Sequence, residues 1–262
     1  MTKLKYTFKT DTLFKILFVQ YPNLLKDLVC SLLEIPIVNI SQFEITNTEI
    51  PSEAVGEKFC RLDINMIVDG QNITLEIQVR NEGDFPERIL HQWARVYSNS
   101  IESGDDYIKL PRTVIISIID FPLLKCKEFH SEFRPLEVTR HEELTNKMTL
   151  HFFELKKLPD DITDKNMLKL WLSLFKANTQ EELDKINALE VPIMEQAINA
   201  YNTVTVSPEF KELERLRSIA RHNETAALRN AREEERQKWQ NVADENEQLR
   251  LQIAELQKKQ EN

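Results

Sequence analysis

The sequence predicts an α/β protein with an αβββαβ core, a mixed central sheet flanked by helices, followed by a helical segment and a long C-terminal helix. Three observations predict it. Apolar side chains recur at helical spacing through Leu13, Phe14, Leu17, Phe18, Leu24, Leu25, Leu28 and Leu32. Two alternating runs, 59–68 and 72–80, flank Asp69-Gly70, a strong signal for a two-residue hairpin. Beyond Pro159 the apolar spacing is helical, and no glycine or proline follows Pro208.

Thr10 or Asp11 caps the first helix, predicted over 11–34, with Pro22 as a break or kink and Pro36 past its end. Phe43–Ile50 alternates like a strand, and the hairpin follows. A helix is predicted from Phe85 to Ser103. The apolar run within Arg112–Asp120, interrupted at Ser117, reads as a buried strand, and another strand is expected at Met148–Leu155. Helical segments then surround Trp171–Phe175, a core cluster, and cover Glu181–Ala188 and Pro192–Tyr201. At Val206-Ser207-Pro208 a boundary is expected, with Ser207 as cap and Pro208 at the first helical position. The resulting division is a core at 1–158, a helical extension at 159–205 and a charged tail at 206–262. From 207 onward the tail holds eleven basic and twelve acidic side chains. Trp239, Asn246 and Ile253 fit position a of a heptad repeat, and Val242, Leu249 and Leu256 fit position d. Residues 236–260 therefore read either as a coiled coil joining a homodimer or as a lone charged helix.

A chain of 262 residues with 41% apolar content buries a real core. Its four glycines, Gly56, Gly70, Gly83 and Gly104, are too dispersed for a phosphate-cradling loop, so no nucleotide cofactor is expected. Three scattered cysteines, Cys30, Cys60 and Cys126, make neither a disulfide framework nor a CxxC zinc site. With no apolar leader and no run long enough to span a bilayer, a cytoplasmic protein without a membrane contact is expected. A formal charge of -9 disfavours indiscriminate attraction to polyanions, although a local basic face is compatible with it.

If Asp69-Gly70 is the turn, Val68 faces Gln71, Asn65 faces Thr74, and Asp63 falls opposite Glu76. Leu62, Ile64, Met66, Val68, Ile73, Leu75, Ile77 and Val79 then share an apolar side. Arg61, Asp63, Asn65, Thr74, Glu76 and Gln78 share the other, expected to be wet. Directly opposed like charges destabilise a sheet by roughly 0.2–1 kcal/mol. A divalent cation reverses that sign, since two carboxylates, a backbone carbonyl and waters suit Mg²⁺. The alternative is a solvent-facing hairpin whose acids are neutralised by Arg61 and Arg80.

The fragments Arg-Leu-Asp63-Ile, Asp69-Gly70, Leu-Glu76-Ile-Gln78-Val, Phe-Pro-Glu-Arg88-Ile-Leu and Tyr97-Ser occur in this order after a helix and a strand. Together with Asp11-Thr-Leu-Phe14-Lys15-Ile-Leu-Phe18 and Leu150-His-Phe-Phe-Glu154, they resemble the PD-(D/E)XK nuclease family transposases, relatives of the Rpn-like recombination-promoting nucleases, over about residues 8–200. The resemblance implies a restriction-endonuclease-like fold and Mg²⁺-dependent hydrolysis of DNA phosphodiesters, with Mn²⁺ as a substitute ion. It makes Asp63 and Glu76 metal ligands with the carbonyl of Ile77, and gives Gln78 a catalytic place. Gln78 stands where much of the superfamily has lysine, and Leu62 where it has proline. Glutamine carries no positive charge and is no base, but it orients a water by hydrogen bonding.

Asp11 is an outer-ligand candidate or a helix cap; Lys15, one turn on, reaches a phosphate or pairs with Asp11. Arg80 and Arg88 are phosphate contacts or solvated side chains. Cys126 and His130 lack further zinc partners, and His91 and His151 read as packed histidines. Lys125 to Lys157 carries a basic stripe diluted by glutamates. Two competitors accompany the DNA nuclease: a non-catalytic DNA-binding scaffold that oligomerises through its tail, kept open by Gln78, and a nuclease acting on RNA.

Overall fold

The computed structural model describes residues 2–47, 63–81, 83–102, 104–160 and 165–260; of residues 224, 248, 251–252 and 254–260 it describes the backbone alone. The predicted first helix is two helices, α1 (Asp11–Gln20) and α2 (Pro22–Leu32). Pro22 has no N–H and disfavours helical backbone in the residue before it. Tyr21 accordingly leaves the helical region, at φ -122° and ψ 72°, and Pro22 starts α2. Strand β1 (Phe43–Ile45) pairs antiparallel with β2 (Ile64–Val68), which forms the expected hairpin with β3 (Gln71–Gln78). The portions of the predicted strands at 48–50 and 59–62 lie outside the described residues.

At the turn, Asp69 has φ 46° and Gly70 φ 74°. Two successive positive values define a turn whose twist matches the flanking strands. Asp69 Oδ1 also accepts from Ser41 N (3.0 Å), Ser41 Oγ (2.7 Å) and Gln42 N (2.8 Å), which hold its carboxyl below the usual range and tie the turn to the chain before β1.

Helix α3 (Phe85–Ser98), with Pro86 in its first turn, returns the chain to β4 (Thr113–Ile119), all seven residues of which are buried. β4 runs parallel to β3 and to β6 (Met148–Glu154), and β5 (His130–Phe133) closes the far edge antiparallel to β6. The strand order is β1-β2-β3-β4-β6-β5. β3 is therefore central, with a hydrogen-bonded neighbour on each side. Helices α4 (Met167–Lys176), α5 (Gln180–Asn187) and α6 (Pro192–Val206) share the larger core with α1, α2 and the inward side chains Ile64, Met66, Ile73 and Leu75. Asn166 caps α4, and Thr179 and Glu182 form a capping box at α5. The opposite sheet face is covered by α3, through a second core of Phe85, Ile89, Ile115, Ile119, Phe121, Leu150 and Phe152.

Helix α7 (Pro208–Gln260) is 53 residues long. The first compact unit ends at Glu214, and the helix from Arg215 onward belongs to a second. Within the first, Phe210 is fully buried and Thr12 Oγ1 donates to Glu214.

His151 is 6% exposed and packed, as expected, with Nδ1 3.0 Å from His130 Nε2. Burial pushes it down to about 4, with Glu132 acting in the opposite sense and His130, Arg112 and Arg134 reinforcing the drop. The unfolded chain therefore binds more protons between that value and about 6.5, and stability falls as pH drops through the window, by about 3 kcal/mol in all. Urea midpoints are expected to decline from pH 7 to pH 4.5. His151→Phe should lessen that decline, with the remainder including His130, which burial also pushes down; an unchanged decline in the variant contradicts the assignment.

Candidate active site

The hairpin register pairs Ile64 with Leu75, Asn65 with Thr74 and Met66 with Ile73. Continued by one residue, it sets Asp63 opposite Glu76, as the sequence predicts. The environment differs from the prediction. The face carrying these acids is not wet: Thr74 is 1% and Glu76 5% exposed, because β3 is interior to the sheet and α3 lies across that face. Asp63, at the start of β2, is half-buried.

Each acid is held by specific partners. Glu76 registers opposite Ser117 of β4, whose Oγ donates to Glu76 Oε1 at 3.2 Å. Ser117 is the one polar residue in an apolar run, and that interruption was its signal in the sequence. The backbone carbonyl of Asp63 accepts from Lys15 Nζ (3.0 Å) and Asn47 Nδ2 (3.0 Å), while Asn47 Oδ1 accepts from Asn65 N at 2.7 Å. Asn47 thus clasps the backbone on both sides of Ile64, a role no sequence pattern announced. From α3, Gln92 Nε2 donates to Asp63 Oδ2 at 3.4 Å, and Gln92 Oε1 is buried without a donor.

The other candidates are distributed differently. Lys15 is 2% exposed, and its ammonium also donates to the Asn47 carbonyl, so it anchors the start of β2 from within the core. Gln78 is half-exposed, and its Nε2 donates to the carbonyl of Arg80 at 2.9 Å. Ile77 packs its side chain toward the larger core, opposite to Glu76. Arg88 lies one turn before Gln92 on α3, with Nε and Nη2 buried and Cζ 5.2 Å from the Phe85 ring centre. Arg80 is exposed. Asp11 occupies the first turn of α1 and accepts from Thr12 N at 3.0 Å. Among the described residues no group of three or more His, Cys, Asp or Glu gathers to hold an ion, so Asp11 does not complete a three-acid cluster with Asp63 and Glu76. Nor do Cys126 and His130 meet as zinc ligands; His130 turns to His151. Part of the basic stripe is answered by nearby acids, in Lys157–Glu154 (2.6 Å), Lys156–Asp120 (3.2 Å) and Arg134–Glu132 (2.6 Å).

The donor set suits a small hard cation. Mg²⁺ is typically held by one or two carboxylates and keeps several waters, and the buried, donorless Gln92 oxygen beside Asp63 shows that the surroundings are polar on that side as well. The mixed sheet with its acids on the central hairpin agrees with the family profile described as PD-(D/E)XK nuclease family transposase, which matches residues 8–231. The chain belongs to this PD-(D/E)XK nuclease family. The match includes α1, the entire sheet, α3 and the start of α7. Neither a curated protein nor a solved structure matches the chain. Among the described residues of this PD-(D/E)XK family member, no helix is long and apolar enough to cross a membrane.

Proposed function

We propose that the protein is a metal-dependent endonuclease hydrolysing DNA phosphodiester bonds, with Asp63, Glu76 and the Ile77 carbonyl holding the ion, Mg²⁺ or in its place Mn²⁺. The observation that supports this reading is the hairpin register, which pairs Ile64 with Leu75 and, continued by one residue, brings Asp63 opposite the buried Glu76. When bound, such an ion lowers the pKa of the attacking water and offsets charge on the phosphate and the leaving oxygen. In the hydrolysis, the water oxygen forms a new bond to phosphorus as the bond to the leaving oxygen breaks. The water's proton is released, and the leaving alkoxide takes one up. Lys15 and Asn47 hold the backbone of Asp63 in place, Ser117 orients Glu76, and Arg80 and Arg88 supply positive charge to backbone phosphates. Cys30 and Cys126 are free thiols, as suits a reducing cytoplasm.

A non-catalytic DNA-binding scaffold is the competing reading, favoured by Gln78 standing in place of lysine with its amide bonded to the Arg80 carbonyl. Incubation of the purified chain with plasmid DNA and Mg²⁺, beside Asp63→Ala, separates the two. Nicking by the parent and not by the variant is expected; equal behaviour of both, across several divalent ions and DNA forms, favours the scaffold. An RNA arm in the same assay decides the polymer.

The tail completes the proposal as a homodimer through residues 236–260. Trp239 is 68% exposed, and Val242, Leu249 and Ile253 are also exposed along the same heptad seam. In a parallel pair, Glu245 at g meets Arg250 at e of the other copy, an attractive match. Sedimentation equilibrium should report a dimer that Trp239→Glu with Leu249→Glu converts to a monomer. A monomeric parent chain at micromolar concentration contradicts the pairing.

A further inference from the structure

We infer that Gln92 is a positioning residue of this site, holding the Asp63 carboxylate with its amide nitrogen. The inference rests on the nuclease reading above and adds a residue outside the hairpin to it. Its starting point is the asymmetry of one side chain. Gln92 Nε2 donates to Asp63 Oδ2, while Oε1 of the same amide is buried with no donor. The orientation of an amide is fixed by its neighbours, and an ionised carboxylate only accepts, so the NH₂ group must face Asp63. That leaves the oxygen as a buried acceptor, a group that folded proteins rarely leave unmatched. An unmatched acceptor costs stability, so its retention beside the Asp63 carboxylate points to a role in the site rather than in packing.

The platform is suited to the task. α3 is fixed to the sheet by Phe85 and Ile89 in the second core and by Trp93 Nε1, which donates to the Thr113 carbonyl at 3.0 Å. Gln92 lies next to Trp93 on that anchored helix, one turn beyond Ile89. The 3.4 Å bond to Asp63 is long, as hydrogen bonds of a site without substrate often are, and has room to tighten. Gln78, by contrast, commits its amide N–H to the Arg80 carbonyl at the exposed end of β3. Gln92 thus acts on the site from the covering helix, apart from the place that the motif gives Gln78.

The test uses the full chain and the variants Gln92→Leu, Gln78→Leu and Asp63→Ala. Nicking at saturating Mg²⁺ gives kcat and the KM for DNA, Mn²⁺ binding followed by electron paramagnetic resonance gives an affinity, and thermal unfolding gives a midpoint. For Gln92→Leu the expected result is a kcat lower by about 10–100-fold, the range for groups that orient a metal site's ligands. KM for DNA should be unchanged, Mn²⁺ affinity weaker, and the midpoint not lowered, because leucine removes the unmatched acceptor while filling similar space. Gln78→Leu should lose less. Parent-like kcat and Mn²⁺ affinity in Gln92→Leu, with Asp63→Ala inactive, overturns the inference and leaves the nuclease reading standing. A loss of activity that merely follows a collapsed midpoint also overturns it, by making the role structural. A parent chain that neither binds Mn²⁺ nor nicks removes the nuclease reading and this inference together.

Discussion

Replacing Glu76 by glutamine is expected to abolish nicking and, in the same protein, to abolish stabilisation by Mn²⁺. Glutamine keeps the length of the side chain and an oxygen able to accept from Ser117 Oγ, so the second face of the sheet retains that contact. It removes the charge that a hard cation needs. Groups that merely orient metal ligands cost about 10–100-fold when mutated, so loss of a ligand at the centre of the site should exceed about 100-fold in rate. The thermodynamic signature is independent of turnover. An ion that binds the folded chain alone stabilises it by about 2.7 kcal/mol when present at 100 times its dissociation constant. The parent chain should therefore unfold at a higher temperature as Mn²⁺ is raised, and Glu76→Gln should not respond. A variant that nicks DNA at the parent rate, or that gains the same stability from Mn²⁺, excludes Glu76 as a ligand.

The largest effect on stability is expected from Trp171→Ala. Trp171 is fully buried, its ring centre 6.0 Å from that of Phe18, and Nε1 donates to Asp27 Oδ1 at 2.7 Å. It joins α4 to both α1 and α2. Truncating a buried tryptophan to alanine costs about 3–5 kcal/mol through lost transfer energy and the cavity left behind. Deleting the N–H leaves the Asp27 carboxylate short of a donor, adding about 1 kcal/mol or more. Against a total stability of about 5–15 kcal/mol, the variant should be partly unfolded at physiological temperature. Trp171→Phe, which fills much of the volume but still lacks the N–H, should fall between it and the parent. Urea titration of the three proteins measures the series; a loss below about 1.5 kcal/mol for Trp171→Ala contradicts the packing described.

Local chemistry made much of this fold legible. The Asp69-Gly70 pair fixed both the turn and the register, because few other dipeptides accept two successive positive φ values. The opposition of Asp63 and Glu76 followed by counting. The buried strand around Ser117, the Ser207 cap and the long tail helix were equally local. What escaped were features that depend on a partner distant in sequence. Strand β5, His-Ser-Glu-Phe, is too short and polar to announce itself and exists because β6 offers a free edge. Alternation along β3 describes a half-wet strand, and only the sheet order together with α3 makes Glu76 a buried acid. Lys15 looked like a phosphate contact because it follows Asp11 by one turn, whereas its ammonium ends on carbonyls more than thirty residues away. Gln92 lies in a polar stretch of helix, and nothing in its neighbours signals that its amide meets Asp63.

The two outermost strands bear on how this molecule avoids accretion. Among the described residues, β1 has three residues and β5 four. An incoming strand laid along either border gains a couple of backbone bonds at most, too few to repay the order it must accept. Fibrous growth by strand addition is thereby starved at both flanks, and copies of the molecule that meet in a crowded solution have to recognise one another through side chains.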